Sequence, residues 1–164
     1  TLSSGDKSNY YFDGKMLEMS SAGSALIGQV IFDRIKDKDI DAIGGLEIGA
    51  IPLTTAAVYT YHKNGRSMEG FVVRQEAKTH GTKKIIEGQL RPGSKVVILD
   101  DVVTKGTSVL KAIDAVRKVE CQPVLVLALM DRLQGAEQLL KGQGIPYQSI
   151  YTIRDFARDP AVVK

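Results

Sequence analysis

The chain has 164 residues, of which 43% are apolar and 25% are charged, as expected for one soluble globular domain. This composition excludes a disordered or low-complexity chain, and the net charge of +3 is too small to indicate nucleic-acid binding. The single cysteine, Cys121, excludes an internal disulfide and a cluster of metal-binding thiols, so the expected location is the reducing cytoplasm.

The start of the chain lacks the apolar segment of a signal peptide, and no apolar run approaches the roughly 20 residues that cross a bilayer. We therefore expect no membrane partner. The chain begins at Thr1, without methionine and in the middle of a pattern. This start is consistent with an N-terminal extension that is missing from this sequence.

The first half of the chain predicts a helix, a strand, a second helix and a second strand. Leu26, Ile27, Val30, Ile31 and Ile35 recur at helical spacing, and Ser20 or Ser21 is the predicted N-cap. The four predicted elements are a helix over residues 20–36, a strand over 41–46, a helix with Pro52 in its first turn, and a strand over 70–73. Residues 74–94 hold few apolar side chains, which predicts a long polar excursion, and loops of this length are usually functional or disordered.

The second half repeats the alternation of strand and helix. The run VVILD, residues 96–100, is continuously apolar, which is typical of a strand covered on both faces. The predicted elements are strands over 96–100, 123–131 and 147–153, and helices over 107–119 and 136–144. This alternation predicts an α/β fold, a central parallel sheet with helices on both faces, in one domain spanning residues 1–164.

Two adjacent carboxylates, Asp100 and Asp101, end the central strand. In open α/β sheets, ligands bind at the carboxyl ends of the strands. Two buried anions side by side repel each other unless they have partners, and a vicinal diol such as that of ribose offers one hydroxyl to each carboxylate. The pair therefore predicts a ribose-binding site.

The stretch TKGTS, residues 104–108, follows at once and leads into a helix. Free backbone N–H groups, the helix dipole and the hydroxyls of Thr104, Thr107 and Ser108 favour a phosphate there. Gly106 permits a positive φ or a close approach of the backbone. The alternative is an acidic strand end followed by a threonine N-cap. The chain contains neither a Walker A loop nor a G-x-G-x-x-G loop.

The stretch VVILDDVVTKGTS resembles the phosphoribosyl-diphosphate (PRPP) motif of type I phosphoribosyltransferases. Three further stretches resemble orotate phosphoribosyltransferases: residues 2–14 their N-terminal hood, RQEAKTHG at 74–81 their mobile catalytic loop, and MDR at 130–132 the end of their orotate-binding strand. The resemblance covers nearly the whole chain. It implies the type I fold with a small hood of about residues 1–19 and a mobile loop of about residues 74–88.

The resemblance implies a site for PRPP and a set of catalytic residues. The implied PRPP-binding residues are Arg74, Gln75, Lys78, His80, Asp100, Asp101, Val102, Val103, Thr104, Lys105, Gly106, Thr107 and Ser108. Those implied in catalysis are Asp101, Lys78, His80 and Arg74, the last three reaching the diphosphate from a neighbouring subunit. His80 either protonates the leaving diphosphate or only pairs with it. Gln75 departs from the family, which usually has lysine there, and one cation is lost.

For orotate, the implied contacts are Thr104, Arg132, Tyr11 and Phe12. The planar guanidinium of Arg132 suits the carboxylate of orotate, whereas the alternative is a salt bridge to Asp131. The aromatic pair would stack on the pyrimidine ring or pack in a dimer contact or the core. The resemblance also implies Mg²⁺ on the diphosphate, with no direct protein ligand, and a homodimer with shared active sites.

Three functions remain open at this stage. The first is synthesis of orotidine 5′-phosphate and diphosphate from orotate and PRPP, a step of pyrimidine biosynthesis. The second is a phosphoribosyltransferase for another base, and the third is a non-catalytic regulator that senses PRPP. The cations at Arg74, Lys78 and His80 argue against the regulator, because a sensor needs no clamp for a leaving group.

Overall fold

The computed structural model describes residues 14–76 and 84–156, and within them the chain forms a six-stranded sheet flanked by helices. The strands are β1 (Ala42–Leu46), β2 (Glu69–Val73), β3 (Ile86–Gly88), β4 (Lys95–Val103), β5 (Gln122–Asp131) and β6 (Tyr147–Thr152). The helices are α1 (Gly14–Glu18), α2 (Ser21–Ile35), α3 (Ala50–Lys63), α4 (Thr107–Lys118) and α5 (Ala136–Gly142), and a 3₁₀ turn spans Ile153–Asp155.

The strand order is β3-β2-β1-β4-β5-β6, which places β4 inside the sheet. The pairings among β2, β1, β4, β5 and β6 are parallel, and β3 runs antiparallel to β2 at one edge. The predicted α/β fold with a central parallel sheet is therefore confirmed.

Alternating side chains of β4 enter two separate cores. Val96 and Ile98 pack on the face that also holds residues of α4, whereas Val97 and Leu99 pack with residues of α2 and α3. All four are buried, which explains the continuous apolar run in the sequence. Because both faces are covered, only the ends of β4 reach the surface, and its carboxyl end carries the aspartate pair.

The start of α2 confirms the predicted N-cap. Ser20 Oγ accepts a hydrogen bond from the Gly23 N–H at 3.0 Å, which satisfies one of the N–H groups that have no partner inside the helix.

Three elements differ from the sequence predictions. β4 continues to Val103 instead of ending at Asp100, because it stays paired with β5 up to Val103 and Asp131. The strand β3 lies in the segment predicted as a polar excursion and exists through its pairing with β2. The short helix α1 was not predicted, since five residues are too few to show a period.

Gly28 permits close packing of α2 against α3. A Cβ atom at Gly28 would lie 2.6 Å from the carbonyl oxygen of Ala56 and would also overlap Thr60 Oγ1. We expect Gly28→Ala to lower the free energy of unfolding by about 1–3 kcal/mol, because the two helices must separate. Urea unfolding measures this change.

The matched control is Gly142→Ala in α5, where a Cβ atom would meet no atom within 4 Å. That variant should be neutral or slightly stabilising, because alanine is the better helix former. If Gly28→Ala is as stable as Gly142→Ala, the two helices are not packed as tightly as described.

Candidate functional site

The carboxyl edge of the sheet brings together the ends of β4 and β5. Asp100 and Asp101 lie near the end of β4, and Val103 is paired with Asp131 at the end of β5. The next residue, Arg132, donates its backbone N–H to the Val103 carbonyl oxygen at 2.9 Å. The predicted ribose, phosphate and orotate residues of these two strands therefore share one edge.

The two aspartates are buried, each with 9% of its surface exposed, and their carboxylates are oriented by the backbone. Asp100 Oδ1 accepts the Asp101 N–H at 3.0 Å, and Asp101 Oδ1 accepts the Val102 N–H at 2.9 Å. Gly49, which precedes α3, faces both carboxylates: a Cβ atom there would lie 3.1 Å from Asp100 Oδ1 and would overlap Asp101 Oδ1. A glycine at this position leaves the aspartates room to keep this orientation.

Lys15 of α1 contacts the predicted site, and the sequence analysis did not anticipate this contact. Its Nζ lies 2.5 Å from Asp101 Oδ2, although the two residues are 86 positions apart in the chain. Partial burial would by itself lower the pKa of Lys15, but the hydrogen bond and the charge of Asp101 raise it above its ordinary value. No local pattern could have identified this contact, because it depends on how α1 lies over the sheet edge.

Two main effects raise the pKa of Asp100: burial is the larger, and the negative charge of the neighbouring Asp101 is the second. Together they raise the pKa of Asp100 from 3.8 to about 8. The folded chain therefore keeps a proton on Asp100 between these values, whereas the unfolded chain releases it. The free energy of unfolding must fall as the pH rises through this window.

Asp100→Asn removes this titration, so the variant should gain stability relative to the wild type between pH 5 and pH 8. Relative to the wild type, the variant's free energy of unfolding should increase by at most about 1.4 kcal/mol per pH unit, which is the limit for one proton. Urea unfolding of both proteins at pH 5, 6.5 and 8 measures the difference. Parallel pH profiles would show that Asp100 does not carry the raised pKa.

The predicted phosphate-binding stretch lies between β4 and α4. Gly106 is the N-cap of α4 with φ +83°, a left-handed conformation that glycine adopts without strain. No side chain caps this helix, so the alternative of a threonine N-cap is wrong. Thr107 and Ser108 are exposed in the first turn, and the N–H groups of that turn are open to an anion.

The turn after β5 is fixed by Asp131, which is 4% exposed. Its Oδ1 accepts the Leu133 N–H at 2.7 Å, and Leu133 has φ +56°. Burial, followed by the charge of Asp131, raises the pKa of Tyr147, so this hydroxyl keeps its proton beside the carboxylate. Asp131 therefore fixes the backbone turn that contains Arg132, through its hydrogen bond to Leu133.

Comparisons with known proteins identify the family. Residues 17–145 match the model of the phosphoribosyl transferase domain. The orotate phosphoribosyltransferase of Corynebacterium glutamicum strain R is 41% identical over 155 residues, which cover 94% of this chain and 83% of that protein. That of Aquifex aeolicus is 39% identical over 154 residues, covering 94% and 84%. The chain belongs to the orotate phosphoribosyltransferase family.

Solved structures agree with this assignment to the orotate phosphoribosyltransferases. The Mycobacterium tuberculosis enzyme in complex with Fe(III) dicitrate has a TM-score of 0.83 and 37% identity, covering 96% of this chain and 88% of that one. The same enzyme in complex with PRPP has a TM-score of 0.80 and 33% identity, covering 90% and 83%. An adenine phosphoribosyltransferase at 12% identity and a TM-score of 0.67 shares the fold alone. The resemblance stated from the sequence is confirmed.

The start of the segment that resembles the family's catalytic loop lies against its own chain. Gln75 donates its backbone N–H to Glu47 Oε1 at 2.9 Å and its side-chain amide to the Glu47 carbonyl oxygen at 3.3 Å. Arg74 Nη1 lies 3.8 Å from Glu87 Oε1 on β3. Four predicted site residues lie outside the described part of the chain: Tyr11, Phe12, Lys78 and His80.

Two absences concern the described residues only. In 14–76 and 84–156, no group of three or more histidine, cysteine, aspartate or glutamate side chains could hold a metal ion. In the same part of the chain, no helix has the length and apolar character needed to cross a membrane.

Proposed function

We propose that the chain transfers the 5-phosphoribosyl group from PRPP to orotate, giving orotidine 5′-phosphate and diphosphate. The observation that carries the proposal is the continuous path from Asp100 and Asp101 into the glycine-capped start of α4, in a chain of this family. The carboxylates can accept hydrogen bonds from the two ribose hydroxyls, and the N–H groups at the start of α4 can donate hydrogen bonds to the 5-phosphate. The chain therefore presents these groups in the order in which they occur along ribose 5-phosphate.

The two aspartates hold the ribose hydroxyls, because each carboxylate is already oriented by a backbone N–H and keeps lone pairs for a further donor. Residues 104–108 hold the 5-phosphate through backbone N–H groups and hydroxyls. With both ends of the sugar fixed, C1 keeps one orientation towards the incoming base, which lowers the entropic cost of reaction.

Departure of diphosphate concentrates negative charge on this leaving group. Nearby cations stabilise that charge and so lower the activation free energy of the reaction. Arg74, Lys78 and His80 supply them by family resemblance, His80 either as a proton donor or as an ion-pair partner. Mg²⁺, bound mainly through the diphosphate oxygens and water, would neutralise further charge. The described residues suit such an ion, since Asp100 and Asp101 are hard oxygen donors but form no cage of their own.

Orotate is expected to lie at the ends of β4 and β5, between Thr104 and Arg132. Both follow the last residues of paired strands, and the Arg132 backbone is bonded to Val103. A guanidinium here suits a carboxylate-bearing pyrimidine better than uracil or a purine, because it binds a carboxylate through two parallel hydrogen bonds.

The working unit is proposed to be a cytoplasmic homodimer of single-domain chains, acting in pyrimidine biosynthesis. Family resemblance places the segment that contains Lys78 and His80 in the site of the partner subunit, and a two-fold axis makes the two sites reciprocal.

A panel of bases tests the proposal. The protein is incubated with PRPP and Mg²⁺ and with orotate, uracil, adenine or hypoxanthine, and the nucleotide products are measured by chromatography. Turnover of orotate alone is expected. Turnover of another base but not orotate would assign a different phosphoribosyltransferase, and PRPP binding without any turnover would favour a regulator.

A further inference from the structure

The contact between Lys15 and Asp101 occupies a carboxylate oxygen that the proposed reaction needs. Asp101 Oδ1 is engaged by the Val102 N–H, and Lys15 Nζ lies 2.5 Å from the other oxygen, Oδ2. A ribose hydroxyl that donates to Asp101 must therefore share this oxygen with the ammonium group or replace it.

This ion pair differs from two other lysine–carboxylate pairs, Lys36–Asp33 and Lys95–Asp39. In Lys36–Asp33 the side chains are 39% and 51% exposed, and in Lys95–Asp39 they are 44% and 86% exposed. Both are therefore surface pairs, which contribute little to the stability of the fold. In Lys15–Asp101 the carboxylate is only 13% exposed whereas the lysine is 49% exposed. The carboxylate is fixed in the site, and the lysine reaches it from solvent.

The positive charge of Lys15 can help to bind the substrates. PRPP and orotate are anions, and they must bind beside two aspartates. The negative charge of Asp101 opposes an anion, and a cation held beside Asp101 offsets this repulsion. Lys15 has a long unbranched side chain with three donors, so it can release Asp101 and still reach an oxygen bound next to it.

We propose that Lys15 is a further substrate-binding residue of this site. A ribose hydroxyl takes over Asp101 Oδ2, and the Lys15 ammonium moves to an anionic oxygen of the substrate, on the diphosphate of PRPP or on the carboxylate of orotate. The inference rests on the proposed function for the identity of these ligands. It assigns α1 to the substrate site, although the helix is remote from the aspartates in sequence.

Isothermal titration calorimetry of the full chain with Mg²⁺ tests this exchange. PRPP is titrated in one arm, and orotate in the presence of ribose 5-phosphate in the other, for the wild type, Lys15→Met and Lys15→Arg. Lys36→Met is the matched control, because it removes a lysine from a surface ion pair. We expect Lys15→Met to raise the Kd about tenfold or more in one arm, Lys15→Arg to recover most of the affinity, and the control to match the wild type.

The arm that loses affinity identifies the acceptor: loss for PRPP indicates the diphosphate, and loss for orotate indicates the carboxylate. Equal or tighter binding by Lys15→Met in both arms would overturn the inference, since Lys15 would then only block Asp101. A loss that Lys15→Arg does not recover, accompanied by a lower melting temperature, would assign Lys15 a structural role instead. Binding needs no turnover, so a chain that binds PRPP without converting orotate contradicts the proposed function and still tests Lys15 in the PRPP arm. A wild type that binds neither ligand overturns both.

Discussion

Asp101→Asn is expected to lower kcat/KM for PRPP by roughly 10- to 150-fold while the chain remains folded. The Asp101 carboxylate accepts the Val102 N–H through Oδ1, and its other oxygen, which contacts Lys15, is the one that we assign to the ribose hydroxyl. An amide keeps the size of the side chain but loses the charge, and hydrogen bonds to charged groups are worth about 1.5–3 kcal/mol. Steady-state kinetics with varied PRPP measures the loss, and circular dichroism checks the fold.

The matched control is Asp33→Asn on α2, which makes the same chemical change in a carboxylate that pairs with Lys36 at the surface. Its kinetics should equal those of the wild type. Unchanged PRPP kinetics in Asp101→Asn would remove Asp101 from the ribose site.

Mixed dimers are expected to regain activity that neither parent has. If the segment containing Lys78 completes the site of the partner subunit, Asp101→Asn and Lys78→Ala each damage a different contribution to one shared site. Each homodimer then carries two damaged sites, whereas a mixed dimer carries one site with both lesions and one with neither. Co-incubation of the two variants should raise turnover well above that of either parent.

Subunit exchange has to be established in the same sample, for example by recovering dimers with two different affinity tags. A mixture of Asp101→Asn with Asp100→Asn serves as a comparison, because both lesions damage the same contribution to the site and no mixed dimer then has an intact site. If tagged mixed dimers form and activity stays at the level of the parents, Lys78 acts within its own chain and the sites are not shared.

The sequence predicted the parts of the fold that depend on local pattern. Local preferences predicted the buried strand β4 and a serine cap at the start of α2. The positive φ of Gly106 is one of the two roles predicted for that glycine. The aspartate pair was placed near the carboxyl end of β4 from the apolar run before it, although the strand continues two residues further, to Val103.

The missed features depend on contacts between distant residues. β3 has three residues and forms through pairs such as Val73 with Ile86, so no periodicity could reveal it. The extension of β4 needs its partner β5, and the Lys15–Asp101 contact joins residues from opposite parts of the chain. The raised pKa of Asp100 likewise follows from burial, which a sequence suggests but does not measure.

The central claim is that one strand end binds both the ribose diol and the 5-phosphate. A crystal structure of the chain with PRPP and Mg²⁺ tests it most directly. We expect the ribose hydroxyls to lie within hydrogen-bonding distance of the Asp100 and Asp101 side chains, and the 5-phosphate to lie on the backbone N–H groups of residues 104–108 at the start of α4. A 5-phosphate bound at any other place, or a ribose that contacts neither aspartate, would contradict it.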